Sequence, residues 1–101
     1  VFQINFHPDA QKEFKEAALW YNHQRVGLGR EFFDEVNSNI ALIANDPKIW
    51  PEYIHHFHRL IVKRFPFNII YRVQPNCIEI IAIAHNKRKP FYWKNRILIS
   101  W

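Results

Sequence analysis

Phe67-Asn68-Ile69-Ile70-Tyr71-Arg72-Val73-Gln74-Pro75-Asn76-Cys77-Ile78-Glu79-Ile80-Ile81-Ala82-Ile83-Ala84 is the stretch that decides the fold class. Residues 67–73 and 77–84 are rich in β-branched and aromatic side chains, the composition of strands, and the three residues between them are short enough for an antiparallel hairpin. Upstream, residues 56–63 have the same composition and Pro66 marks the connection, so three strands are expected in series. Before them a loop carries Trp50-Pro51-Glu52-Tyr53. Further back the period changes. From Pro8, suited to a helix start, Ala10, Phe14, Ala17, Ala18 and Tyr21 recur at helical spacing, with Lys12, Glu13, Lys15 and Glu16 on the other side. Gly27 and Gly29 punctuate the chain, and Leu28, Phe32, Phe33, Val36, Ile40 and Ile43 mark a second helix ending near Asp46-Pro47. At the start, Phe2, Ile4 and Phe6 alternate with Gln3 and Asn5, a half-buried strand ending at His7. The expected order is βααβββ: an α+β domain in which a two-helix hairpin packs on one face of a small, mainly antiparallel sheet, with residues 1–101 forming one domain.

Composition sets the outer bounds. At 101 residues the chain has room for one core, and with 49% apolar residues and only two glycines, disordered and collagen-like classes are excluded. Apolar runs such as 80–84 fall far short of the roughly 20 residues that span a bilayer, so no membrane association is expected. The first residues lack the basic and apolar parts of a signal peptide, and one cysteine makes no internal disulfide; a cytoplasmic location is the expectation.

Charge divides the chain. Residues 1–53 carry −3 and residues 54–101 carry +8, with Glu79 the one acid among nine bases in the second half. A one-sided positive field attracts polyanions, which predicts an anionic partner, either nucleic acid or an acidic protein segment. Arg59, Lys63 and Arg64 are expected to run into Lys87, Arg88 and Arg96 as one continuous basic surface.

Most familiar chemistries find little support. Cys77 opens a strand among isoleucines and reads as a small core hydrophobe. His56 and His58 would share a strand face, but two ligands make no zinc site; no metal and no cofactor are expected. Acidic pairs such as Glu13 with Glu16 read as solvated helix faces. The tail, residues 85–101, is different, because His85-Asn86-Lys87-Arg88-Lys89-Pro90-Phe91-Tyr92-Trp93 interleaves cations with aromatics directly after the last strand. Metal-free RNA cleavage needs a base for the 2′-OH, a cation for the phosphorane and an acid for the leaving oxygen. Arg88 suits the phosphate, His85 proton exchange, and Tyr92 and Trp93 stacking on an unpaired base.

With the element order and this tail in view, the chain resembles the RelE/ParE toxin superfamily of bacterial toxin-antitoxin modules, in particular its ParE-like plasmid-stabilisation branch. The resemblance is carried by Phe6-x-Pro8-x-Ala10, Trp20-Tyr21, Gly27-Leu28-Gly29-x-x-Phe32, Pro47-x-x-Trp50-Pro51, Arg64-Phe65-Pro66-Phe67-x-Ile69-x-Tyr71-Arg72-Val73 and Ala84-His85-x-x-Arg88-x-Pro90-x-Tyr92-Trp93-x-x-Arg96. It implies a toxin neutralised by a cognate antitoxin that wraps its basic and apolar surface in an oligomeric complex. It also implies one of two targets: DNA gyrase, inhibited without catalysis, or mRNA on the ribosome, cleaved by a metal-free endoribonuclease. By resemblance, Arg88 falls where RelE-like nucleases carry a catalytic arginine, and Arg59 falls near a phosphate-contacting lysine. The second catalytic arginine corresponds to Asn68 and the second lysine to Ile61. One missing cation at the scissile phosphate costs about 3 kcal/mol of transition-state stabilisation, the scale of a lost oxyanion donor. Gyrase inhibition therefore ranks first, with Arg59, Lys63, Arg64, Lys87, Arg88, Trp93 and Arg96 as target-binding residues. Nuclease action through His85, Arg88 and Tyr92 ranks second, and a pure nucleic-acid-binding module third.

Overall fold

In the computed structural model, which describes residues 1–97, strand β1 (Gln3–Phe6) leads into helices α1 (Pro8–Gln24) and α2 (Leu28–Asn45). Strands β2 (Glu52–Ile54), β3 (Phe57–Ile61), β4 (Phe67–Val73) and β5 (Cys77–His85) follow, and a 3-10 turn (Lys94–Arg96) ends the described chain. Residues 98–101 of the tail lie outside the described residues.

Local chemistry sets the boundaries. Strand β1 stops one residue before the expected His7, because His7 caps α1: its Nδ1 accepts the Asp9 N–H at 3.1 Å, and Pro8 occupies the first helical turn, where its missing N–H costs nothing. The hairpin turns at Gly27, whose φ of +93° is the left-handed conformation glycine tolerates best, and Asn22 Oδ1 accepts its N–H at 2.9 Å. Gly29 lets the helices touch, since a Cβ there would collide with the Ala18 carbonyl oxygen and sit 2.9 Å from the Asn22 Cβ.

The sheet runs β1-β5-β4-β3-β2, with β1 and β5 parallel and every other pair antiparallel. First and last strands are thus neighbours, Gln3 opposite Cys77 and Phe6 opposite Ile80. The expected architecture holds, with a fifth strand where a loop was expected: Glu52–Ile54 pairs with β3 through an irregular register. The turn between them corrects the histidine reading. His55 and His56 sit at φ +47° and +68°, so His56 is in a tight left-handed turn and shares no strand face with His58. Cys77 is half-buried at the start of β5 rather than enclosed in the core.

Alternation along the strands sorts apolar side chains onto two faces. Ile69, Tyr71, Ile78, Ile80 and Ile83 join Phe14, Phe32, Val36, Ile40 and Ile43 of the helices in the larger cluster. A one-residue register step at Ile81 allows Ile80 and Ile83 to face the same way, which strict alternation forbids. On the other face Phe57, Ile70, Ile81, Ala82 and Ala84 are covered by Trp93, with Tyr53, Phe91 and Tyr92 around them. The tail in which cations and aromatics interleave is therefore also the cover of a second small core. No helix among the described residues is long and apolar enough to cross a membrane.

Candidate functional site

The β3–β4 connection and the turn after β5 meet at one end of the sheet, where the Asn86 N–H donates to the Pro66 carbonyl at 2.8 Å. Lys63 and Arg64 are thereby brought to the same end as Lys87 and Arg88. On the face away from the helices a cleft of about 160 Å³ opens there, lined by Tyr53, Arg59, Asn68, His85, Arg88 and Phe91 among others. Both arginines are braced by rings: the Arg59 Cζ lies 4.0 Å from the centre of Tyr53, and the Arg88 Cζ 3.9 Å from that of Tyr92. Stacking of this kind holds a guanidinium in place and leaves its N–H edge open to an oxyanion.

Three of the expected target-binding residues are placed differently. Trp93 is only 2% exposed, its ring 5.0 Å from that of Phe57, so it offers no surface on which a base can stack. Arg96 turns inward, donating to both Glu13 carboxylate oxygens at 2.8 and 2.7 Å and to the Ile81 carbonyl at 2.9 Å. Burial pulls its guanidinium down, but the Glu13 bond and charge outweigh this and leave it above its ordinary value. Arg64 reaches across to Glu31 at 2.9 Å. The continuous basic surface is thus shortened at both ends, because the acidic helical half supplies carboxylates to its outer members. Arg59, Lys63, Lys87 and Arg88 remain, with Lys89 beside them in the cleft.

Sequence reasoning missed Glu13. Far from solvated, its side chain is 15% exposed and also accepts the Tyr92 O–H at 2.5 Å and the Ile83 N–H at 3.1 Å. The last bond explains its place. Strand β1 has ended beside Ile80, so among the described residues the outer edge of β5 beyond it has no ladder partner, and Glu13 and Arg96 bond its peptide groups instead. Glu13 lies three residues after Ala10 and four before Ala17, on the boundary of the buried stripe, and that spacing was the available signal.

The proton-exchange groups are restrained. The Lys87 N–H donates to His85 Nδ1 at 3.0 Å, so the neutral imidazole carries its own proton on Nε2 and has no free lone pair for a base. Burial, then the bond and charge of Glu13, hold the Tyr92 phenol well above the usual tyrosine range. Asn68 donates to the Ala84 carbonyl at 3.2 Å and to Asn86 Oδ1 at 3.0 Å. Among the described residues no group of three or more histidine, cysteine or acidic side chains is placed to hold a metal ion.

A second surface lies on the helical side. Between α1 and α2 a groove of about 810 Å³ is lined by Phe14, Leu19 and Phe33, with Lys12 and Lys15 beside them. Leu19 and Phe33 are exposed despite being apolar.

A family model described as the ParE toxin of the type II toxin-antitoxin system parDE matches residues 4–90. The comparison with curated proteins finds no match. Among solved structures, a chain of the chromosomal ParDE TA system from P. aeruginosa superposes with a TM-score of 0.74 at 14% identity, covering 83% of this chain and 95% of that one. At that identity the likeness concerns the fold.

Proposed function

The chain belongs to the ParE toxin family of type II toxin-antitoxin systems, and from that premise we propose that it arrests growth by inhibiting DNA gyrase without cleaving RNA. As a toxin of such a module it has a cognate antitoxin as partner. The observation that carries the non-catalytic reading is a cleft with two braced guanidinium groups and, among the described residues, no base in position. His85 presents Nε2–H, the Tyr92 O–H donates to Glu13, and an amide stands at Asn68. Such a site binds an oxyanion well and is poorly equipped to activate a 2′-OH. Arg59, Lys63, Lys87 and Arg88 are assigned to the target, and the whole chain, 1–101, acts as one toxin domain. The antitoxin is assigned to the groove between α1 and α2, where Lys12 and Lys15 steer an acidic amphipathic segment and Phe14, Leu19 and Phe33 anchor it.

Arg88→Ala tests this reading. Controlled expression of wild type is expected to leave mRNA intact while plasmid supercoiling by gyrase falls, and the variant is expected to lose both growth inhibition and the effect on supercoiling. Codon-linked mRNA cleavage by wild type that disappears in Arg88→Ala and His85→Ala would establish the nuclease instead. Full toxicity of a folded Arg88→Ala protein removes Arg88 from the target surface under either mechanism.

A further inference from the structure

Arg88 stands on the turn that follows the last strand, where its N–H donates to the His85 carbonyl at 3.0 Å. Its side chain is exposed, and among the described residues no carboxylate pairs with it. An arginine so placed samples many rotamers, a freedom it must give up on binding. Here the guanidinium rests on the Tyr92 ring, its Cζ 3.9 Å from the centre. The ring is itself held at its far end. The Tyr92 O–H donates to Glu13 Oε2 at 2.5 Å, a short bond to a carboxylate on α1 that the Ile83 N–H and Arg96 already fix.

Charge follows the same path. The Arg96 Cζ lies 5.1 Å from the centre of the same ring, so Tyr92 adjoins two guanidinium groups. Glu13 neutralises the inner one through two bonds at 2.8 and 2.7 Å, whereas the outer one keeps its charge for a partner. We propose that Glu13 and Tyr92 are positioning residues for Arg88. Glu13 fixes the ring and cancels the charge of Arg96, and the ring holds the Arg88 guanidinium with its N–H edge free for an oxyanion of the target. The role rests on the reading of Arg88 as a target contact, and neither Glu13 nor Tyr92 needs to touch the target.

Two tyrosine-to-phenylalanine changes in the full chain provide the test. Each removes one phenol hydrogen bond: Tyr92→Phe the bond to Glu13, Tyr71→Phe the bond to the Pro47 carbonyl in the core under the helices. In wild type the Arg88 Nε–H NMR signal, assigned by its loss in Arg88→Ala, is expected upfield of an ordinary arginine because the Tyr92 ring shields it. Tyr92→Phe and Glu13→Gln should move it toward the ordinary position. Both should also raise the toxin concentration for half-inhibition of gyrase supercoiling by about 2- to 12-fold, the ordering cost of one rotamer-rich side chain. Tyr71→Phe should change neither readout at a temperature where circular dichroism shows every variant folded. An unshifted Arg88 signal in wild type, or equal losses of potency in the two phenylalanine variants, would overturn the inference. Supercoiling inhibition that Arg88→Ala abolishes but Tyr92→Phe leaves intact overturns it while the gyrase reading stands. If wild type leaves supercoiling untouched, the gyrase reading falls and growth inhibition becomes the readout; the same pattern of potency and NMR shifts then upholds the positioning role. Cleavage of mRNA that Tyr92→Phe abolishes with the Arg88 signal unmoved makes Tyr92 a catalytic residue and overturns both.

Discussion

Replacing Glu13 with alanine should be among the most damaging changes this chain can suffer. Four hydrogen bonds end on the carboxylate: two from Arg96, one from Tyr92 and one from the Ile83 peptide. The Glu13 and Arg96 side chains are 15% and 13% exposed, so water replaces little of what is lost. Removing one partner of a buried pair costs about 3–5 kcal/mol, because the other charge stays behind unpaired. That is a large share of the roughly 5–15 kcal/mol by which domains are stable, and each kcal/mol lowers the midpoint by about 4–8 °C at this size. Glu13→Gln keeps the shape and one acceptor, so its cost should fall to about 1.5–3 kcal/mol, the worth of bonds to a charged group. Urea titration supplies the measurement, and a double-mutant cycle identifies the cause. In Glu13→Gln combined with Arg96→Met, the stranded charge is gone, so the pair should cost clearly less than the two single changes added together. A Glu13→Ala protein within about 0.5 kcal/mol of wild type, the range of an ordinary surface change, would refute the reasoning.

Gly29→Ala should destabilise by about 1–3 kcal/mol, the usual cost of overpacking, because the colliding Ala18 oxygen belongs to the backbone; thermal melts of Gly29→Ala and Gly27→Ala distinguish a steric clash from backbone strain alone. In alkali, Tyr71 and Tyr92 carry raised pKa values through burial, so their protonated forms are favoured in the folded state. Their contribution is complete below the ordinary value of 10 and is lost as pH rises through the folded values; stability should therefore drop above pH 10, and less so in Tyr92→Phe. Tyr71→Phe also removes the buried O–H donated to the Pro47 carbonyl at 2.6 Å and should cost about 1–3 kcal/mol in a urea titration at neutral pH.

Periodicity carried the fold well because burial is one-sided along most elements: the stripe from Phe32 to Ile43 can only be a buried helix face, and residues 67–84 only paired strands. What it missed was set by partners distant in the chain. Glu52–Ile54 is too short to declare itself, and it pairs because β3 lies alongside. For the site, Arg88 and Arg59 were legible from charge and aromatic neighbours, and they do meet in one cleft. Which basic residues remain available was not legible, since Arg64 and Arg96 are claimed by Glu31 and Glu13, 33 and 83 positions away. Trp93 misled for a related reason. An aromatic in a basic tail has the same local signature whether it stacks on a ligand or closes a core, and the neighbouring sheet face decides.

The adjacency of the first and last strands has a consequence in time. Strand β1 is made before the helices and the other strands, yet among the described residues its neighbour in the sheet is β5, and Gln3 must wait for Cys77. At about 5–20 residues per second, Cys77 is added ~4–15 s after Gln3. Throughout that interval the nascent chain has helices but an unfinished sheet, and the Arg96 that pins Glu13 to the open edge of β5 comes later still. No amino-terminal fragment ending before β5 contains the complete sheet. The sheet closes only once β5 has been made, so a ribosome that stops before Cys77 releases a chain whose first strand has no partner among β2–β4.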